Sequence, residues 1–252
     1  MKFPFQLPKQ KANQQRVFKK TLIAVPTTGV LYPAMVNDLI ALLTSCRQWG
    51  IFHTVDNCVI QDARNQAVAR MFETGCDAVL FIDSDQTFPK DALDVLIETH
   101  KEIVGYPIIR KTPPYYPNIG RWDEAKGEYV VYEDYPKNYI FQVDYIGMGF
   151  TYIRKEVFEK LEKPYFDFEW FVNEKYKKGE RMVGEDVYFC KRAKAAGFKI
   201  WAYPMLEIGH IGNFEYLPRL YRNYTDVVKA AKEEENGKEK NSGSNQITGS
   251  QT

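Results

Sequence analysis

The chain has 252 residues, enough to bury a sizeable core, and nothing in its length calls for more than one main domain. A hydrophobic fraction of 44% with 27% charged residues excludes a wholly disordered chain, and a formal net charge of +1 gives no overall pull toward nucleic acid or an acidic membrane. Four cysteines without a C-x-x-C pair argue against a zinc knuckle or a disulfide scaffold, and no apolar run reaches the roughly 18–20 residues that span a bilayer, so a cytoplasmic protein is expected.

Residues 1–20 are basic, with Lys2, Lys9, Lys11, Arg16, Lys19 and Lys20 and no acidic residue, and read as a flexible arm. Thr21–Pro26 is a short apolar run stopped by Pro26-Thr27-Thr28-Gly29, a buried strand followed by a loop. From Pro33, apolar positions at Met35, Leu39, Leu42, Leu43 and Cys46 keep helical spacing. Phe52–Val59 predicts a second strand, and Ala63 to Glu73 a second helix. Ala78–Ile82 is continuously apolar, as a central parallel strand covered on both faces must be, and it stops abruptly at Asp83-Ser84-Asp85.

A helix beginning near Pro89 and a strand at Glu102–Tyr106 complete an alternation that predicts an α/β fold with a Rossmann-like, mostly parallel central sheet flanked by helices. Residues 107–139 are rich in Pro, Gly and Tyr and predict loops with one short strand at Glu128–Tyr132. Strands at Phe141–Tyr145 and Phe150–Ile153 and a helix at Lys155–Leu161 follow, then a last helix at Glu185–Ala196 and a strand at Lys199–Tyr203. The domain is placed at 21–225, with a helix end and a disordered polar tail over 226–252.

Three constellations carry chemistry. Two carboxylates at a strand end, Asp83 and Asp85, are costly to hold together unless a cation compensates them, which suits Mg²⁺ or Mn²⁺; a turn in which one Asp caps the next helix is the alternative. Gly184-Glu185-Asp186 opens a helix, where acidic residues also serve the helix dipole. His210 stands between Gly209 and Ile211-Gly212, where a neutral imidazole can meet a Mn²⁺-like ion or simply stay structural.

In this order and spacing, the pieces over residues 21–215 resemble the GT-A (nucleotide-diphospho-sugar transferase) fold, and within it the short, soluble, family 2-like glycosyltransferases. The resemblance implies a sugar moved from a UDP- or GDP-sugar to a hydroxyl acceptor, a glycan or glycoconjugate ahead of a modified nucleic acid, with Mn²⁺ or Mg²⁺ as cofactor. Pro26, Thr27, Thr28, Arg64, Asn65, Asp83, Ser84 and Asp85 would then form the donor-nucleotide side, with Arg64 facing phosphate or base and Asn65 ordering the loop, and Asp83, Asp85 and His210 would form the metal side. Asp186, ahead of Glu185, would be the carboxylate base of an inverting reaction. Gly147, Met148 and Gly149 would underlie the sugar, Trp170 would stack on the acceptor, and Arg110 and Lys111 would meet diphosphate. The Q-x-x-R-W segment and membrane helices of processive family 2 enzymes are missing from the sequence, which favours single additions. A retaining GT-A enzyme, a nucleotidyltransferase and a catalytically inactive nucleotide-sugar-binding module remain as alternatives.

Overall fold

The computed structural model describes residues 20–46, 50–55, 58–173, 178–212, 215–219 and 221–230. The predicted basic arm, apart from Lys20, and the tail from 231 lie outside the described residues. The first half alternates as the sequence predicts: β1 (Thr21–Pro26), α1 (Pro33–Ser45), β2 (Gly50–Val55), α2 (Ile60–Glu73) and β3 (Ala78–Ile82), then β4 (Gln86–Thr87), α3 (Ala92–Glu98) and β5 (Ile103–Gly105). Next come β6 (Ile119–Asp123), β7 (Glu128–Val131), β8 (Phe141–Val143), β9 (Tyr145–Ile146), β10 (Phe150–Arg154) and α4 (Lys155–Glu159). The chain continues through β11 (Glu169–Asn173), β12 (Lys178–Val183), α5 (Glu185–Ala195), β13 (Ile200–Ala202), β14 (Gly209–Ile211) and β15 (Glu215–Tyr216).

The main sheet has the order β2-β1-β3-β10-β5-β13-β8. The β1 strand runs parallel to β2 and β3, and β5 is parallel to β13, while β10 lies antiparallel between β3 and β5 and β8 closes the edge antiparallel. The sheet is therefore mostly parallel, as expected, with one reversed strand at its centre.

Alternation along the strands explains why both faces are apolar. Leu22, Ala24, Val79 and Phe81 pack against Ala67, Val68 and Met71 of α2 and Phe189 of α5. Ile23, Val25, Leu80 and Ile82 face the other way, onto Met35, Leu39 and Leu42 of α1 and Leu93 and Leu96 of α3. Each such buried aliphatic side chain contributes about 1.5–3 kcal/mol, so the two layers fix β1 and β3 firmly beneath the loops that follow them.

Several boundaries differ from the sequence reading, Phe141–Tyr145 among them, which is two strands rather than one, and two of the differences lie near the strand ends. The second strand begins at Gly50, whose Cα pairs with Thr21, and ends at Val55, so it is shifted toward the N-terminus relative to the expected Phe52–Val59. The second helix starts at Ile60 after Val59, one turn before the expected Ala63, with no side-chain cap and with Asp62 inside its first turn. None of the four cysteines is in a disulfide, and no described helix is long and apolar enough to cross a membrane.

Candidate active site

At the end of β3 the chain turns through Asp83, Ser84 and Asp85, and the Asp83 amide donates to the Gly149 carbonyl at 2.9 Å. The β4 strand follows at once and pairs antiparallel with β14, setting Gln86 opposite His210 and Thr87 opposite Gly209. A Cβ on Gly209 would lie 2.1 Å from Thr87 Oγ1, so only glycine lets these strands close. The Ile211 amide then donates to the Asp85 carbonyl at 2.7 Å, bringing His210 beside Asp85.

His210 Nδ1 lies 2.8 Å from the Ile109 carbonyl. A carbonyl can only accept, so Nδ1 donates to it, and Nε2 faces Asp85 Oδ2, 3.4 Å away. Lys111 Nζ donates to the same oxygen at 2.5 Å. Burial works against ionising Asp85, but the hydrogen bonds from His210 and Lys111 outweigh it and hold the carboxyl well below the usual carboxylate range.

Arg64, in the first turns of α2, is only 4% exposed and binds two carboxylates: Asp83 Oδ1 at 3.2 Å and Glu185, the first residue of α5. It is thus a buried clamp between the two. Burial pushes the Glu185 carboxyl up; Arg64 opposes the shift and Asp186 adds to it. Asn65 turns away from this cluster. Its Oδ1 accepts from the Tyr165 and Phe166 amides and its Nδ2 donates to the Phe166 carbonyl, so it orders the loop before β11 and lines no donor surface.

Pro26, Thr27 and Thr28 line a cavity of about 440 Å³. Arg64, Asp83, Ser84, Asp85, Glu185 and His210 line it too, gathering nearly every residue expected at the donor side. Cys58, Ile60 and Ala63 complete it; they carry no polar signature in the sequence, and only the α2 start at Ile60 could have pointed to them. A second cavity, of about 410 Å³, is lined by Asp186 with Arg110, Asn118, Tyr129 and Tyr145. Successive helical residues point about 100° apart, so the neighbours Glu185 and Asp186 open onto different cavities. Burial raises the Asp186 carboxyl above its ordinary value, with Arg64 opposing.

The segment Gly147-Met148-Gly149 departs from expectation. Met148 is buried in the core, and a Cβ on Gly149 would stand 2.8 Å from Ile108 Cδ1 and 3.1 Å from Asp83 Oδ2. These residues support Asp83 from behind instead of lining the sugar. Trp170 is 67% exposed on β11, opposite Met182, and lines neither cavity. Lys111 reaches Asp85, whereas Arg110 belongs to the second cavity, so the expected diphosphate pair is divided.

Among the described residues no three His, Cys, Asp or Glu side chains converge on one point. Arg64 meets one oxygen of Asp83 and Lys111 one oxygen of Asp85, so the oxygen and nitrogen donors at this edge are the remaining carboxylate oxygens and the His210 imidazole, oriented by a backbone carbonyl. Such a donor set would suit a Mg²⁺- or Mn²⁺-type ion that keeps the rest of its shell for diphosphate oxygens and water.

Neither a family model nor a curated protein sequence matches this chain. Among solved structures, A197 from STIV is similar, with a TM-score of 0.52 at 20% identity over 77% of this chain and 86% of that one. UDP-glucose pyrophosphorylase complexed with UDP-glucose gives 0.44 at 9% identity over 85% of this chain and 99% of that chain. A Desulfovibrio desulfuricans G20 protein provisionally named a nucleotide-diphospho-sugar transferase gives 0.38 at 12%, over 74% of this chain and 80% of that one. The A197 match is a likeness of fold, the latter two are too distant to carry weight, and no comparison singles out family 2. What is established is the fold: this chain and A197 from STIV share an α/β architecture, here built on a mostly parallel sheet.

Proposed function

We propose that this chain transfers a sugar from a nucleotide-diphosphate sugar, a UDP- or GDP-sugar, to a hydroxyl acceptor with inversion, using Mn²⁺ or Mg²⁺. The observation that carries the reading is the pair of carboxylates opening α5: Glu185 faces the cavity of Asp83, Asp85 and His210, and Asp186 faces the cavity beside it. A donor site and an acceptor site meeting at one helix start is the arrangement that a displacement at an anomeric carbon requires.

The β1 turn and Asp83–Asp85 receive the nucleotide and diphosphate at the carboxyl edge of the parallel strands. A divalent ion held by Asp85 and His210 would supply charge neutralisation for the departing diphosphate. Lys111 adds a fixed positive charge beside Asp85, and Arg64 keeps Asp83 and Glu185 in place. Asp186 takes the proton of the acceptor hydroxyl as its oxygen bonds to the anomeric carbon; the bond to the diphosphate oxygen breaks with its electron pair going to the leaving group. A carboxylate of raised affinity for protons is a stronger base, which is what burial gives Asp186.

The test is hydrolysis of a panel of UDP- and GDP-sugars with and without Mn²⁺, in the parent and in Asp85→Ala. Metal-dependent release of UDP or GDP in the parent, reduced about a hundredfold or more in the variant, is expected. A parent that neither hydrolyses nor binds any donor with any divalent ion would refute the proposal, and the anomeric configuration of the product, read by proton NMR, checks inversion.

A further inference from the structure

The acceptor-side cavity does not end near Asp186. It shares Tyr129 and Val183 with a third cavity, of about 240 Å³, whose remaining walls are Trp122, Glu169 and Lys191. Both are built on the small antiparallel sheet β7-β6-β9. Residues directly opposite in an antiparallel pair share a face, and Trp122 stands opposite Tyr129, while Gly120, two residues before Trp122, stands opposite Tyr145. A Cβ on Gly120 would come within 2.1 Å of the Tyr145 ring, so the absence of a side chain lets that ring lie over the strand. The outcome is a row of three rings, Tyr145, Tyr129 and Trp122, with successive centroids 5.8 and 5.0 Å apart and each ring edge-to-face with the next, leading away from Asp186.

The facing side of the third cavity is polar. Glu169 and Val183 are opposite each other on the β11–β12 hairpin, and Lys191 of α5 reaches both Glu169 carboxylate oxygens at 2.8 Å. Among the described residues the lining carries charge of both signs, Asp186, Glu128 and Glu169 with Arg110 and Lys191. Pyranose rings suit it: their C–H faces pack on aromatic rings while their hydroxyls bond to carboxylate and ammonium groups at the edge.

We propose that the two cavities form one acceptor groove for a neutral saccharide chain of at least two units, with the reacting hydroxyl at Asp186 and the next unit packed against Trp122. The placement of the reacting end rests on Asp186 as the base. The binding of the chain does not.

Saturation-transfer NMR and titration of the full chain with glucose and mannose oligosaccharides of one to four units, without donor, test the groove independently of turnover; a single-stranded oligonucleotide is the rival probe. Affinity is expected to rise about tenfold between one and two units in at least one linkage series, the scale of one aromatic contact. Trp122→Ala should remove that gain, Trp122→Phe should restore most of it, and the thermal unfolding midpoint of each variant serves as the control for folding. No gain with the second unit, a gain that survives in Trp122→Ala, or an oligonucleotide that binds and displaces the saccharides would each overturn the proposal. If saccharides bind as expected but no nucleotide sugar does, the groove stands and the donor reading falls; if donors turn over but chain length has no effect, the groove alone falls.

Discussion

Replacing Arg64 by methionine removes the one cation that touches both Asp83 and Glu185 while keeping an apolar side chain in its place. Arg64 is 4% exposed and Glu185 13%, so their pair is largely desolvated, whereas Asp83 at 35% keeps water and its share is discounted. Breaking a buried pair on one side costs about 3–5 kcal/mol, and with Glu185 still partly wet about 3 kcal/mol is expected at pH 8. The pH dependence has a definite sign. Burial already raises Glu185 and Asp186, and Arg64 opposes both shifts, so its loss raises them further. Groups raised in the folded state bind more protons there than in the unfolded chain, so stability falls as pH rises from the ordinary carboxylate range through the raised values. In Arg64→Met that fall extends to higher pH, and the loss relative to the parent should shrink to roughly 1.5 kcal/mol or less near pH 4.5, where protonated carboxyls need no counter-ion. Urea unfolding followed by circular dichroism at pH 4.5 and 8, with m-values compared, measures it. Adding Glu185→Gln to Arg64→Met should recover much of the loss at pH 8. A penalty that is the same at both pH values, with no recovery in the double variant, would refute the account of Arg64 as a charge clamp.

Two further outcomes follow from the same geometry. In Asp186→Asn, turnover should drop about 10²–10⁴-fold with donor affinity little changed; in the parent, activity should be present at neutral pH and lost as pH falls through a value above the ordinary carboxylate range, because burial raises Asp186. An acid limb that persists unchanged in Asp186→Asn would assign the base elsewhere. Gly149→Ala puts a methyl 2.8 Å from Ile108 Cδ1 and 3.1 Å from Asp83 Oδ2, and should cost about 1–3 kcal/mol in thermal unfolding while weakening donor binding through displaced Asp83; a stable protein with unchanged binding would show that the turn after β3 can shift freely.

The regular half of the fold is legible because β1 and β3 are buried at every position, and continuous apolar runs bounded by turn residues leave few alternatives. The rest is hidden for identifiable reasons. A periodic pattern states that Phe150–Arg154 is a strand but not that it inserts antiparallel between β3 and β5, since neighbours in a sheet are chosen by long-range packing. The β4 and β14 strands have two and three residues, too few for any periodicity. Asn65 and Gly147–Gly149 carry the residue types of a ligand loop, yet their side of the backbone is set by what they pack on, the 165–166 loop for one and Asp83 and Asn118 for the others.

The site itself divides along the same line. Asp83, Asp85, Glu185, Asp186 and His210 are recognisable as residue types at strand and helix ends, but their division of labour is a matter of rotation and register. One helical step sends Glu185 to Arg64 and Asp186 to the neighbouring cavity. One antiparallel rung sets His210 opposite Gln86, and the Ile109 carbonyl then fixes which ring nitrogen faces Asp85. Nδ1 donates to that carbonyl and Nε2 lies 3.4 Å from Asp85 Oδ2, the same oxygen to which Lys111 donates from the loop after β5. A lysine in a Pro- and Tyr-rich loop gives no hint of this in the sequence, because its partner is chosen by the turn that brings residue 111 back over the strand ends. The carboxylates announce that a cation belongs here; the fold alone decides which oxygen it meets.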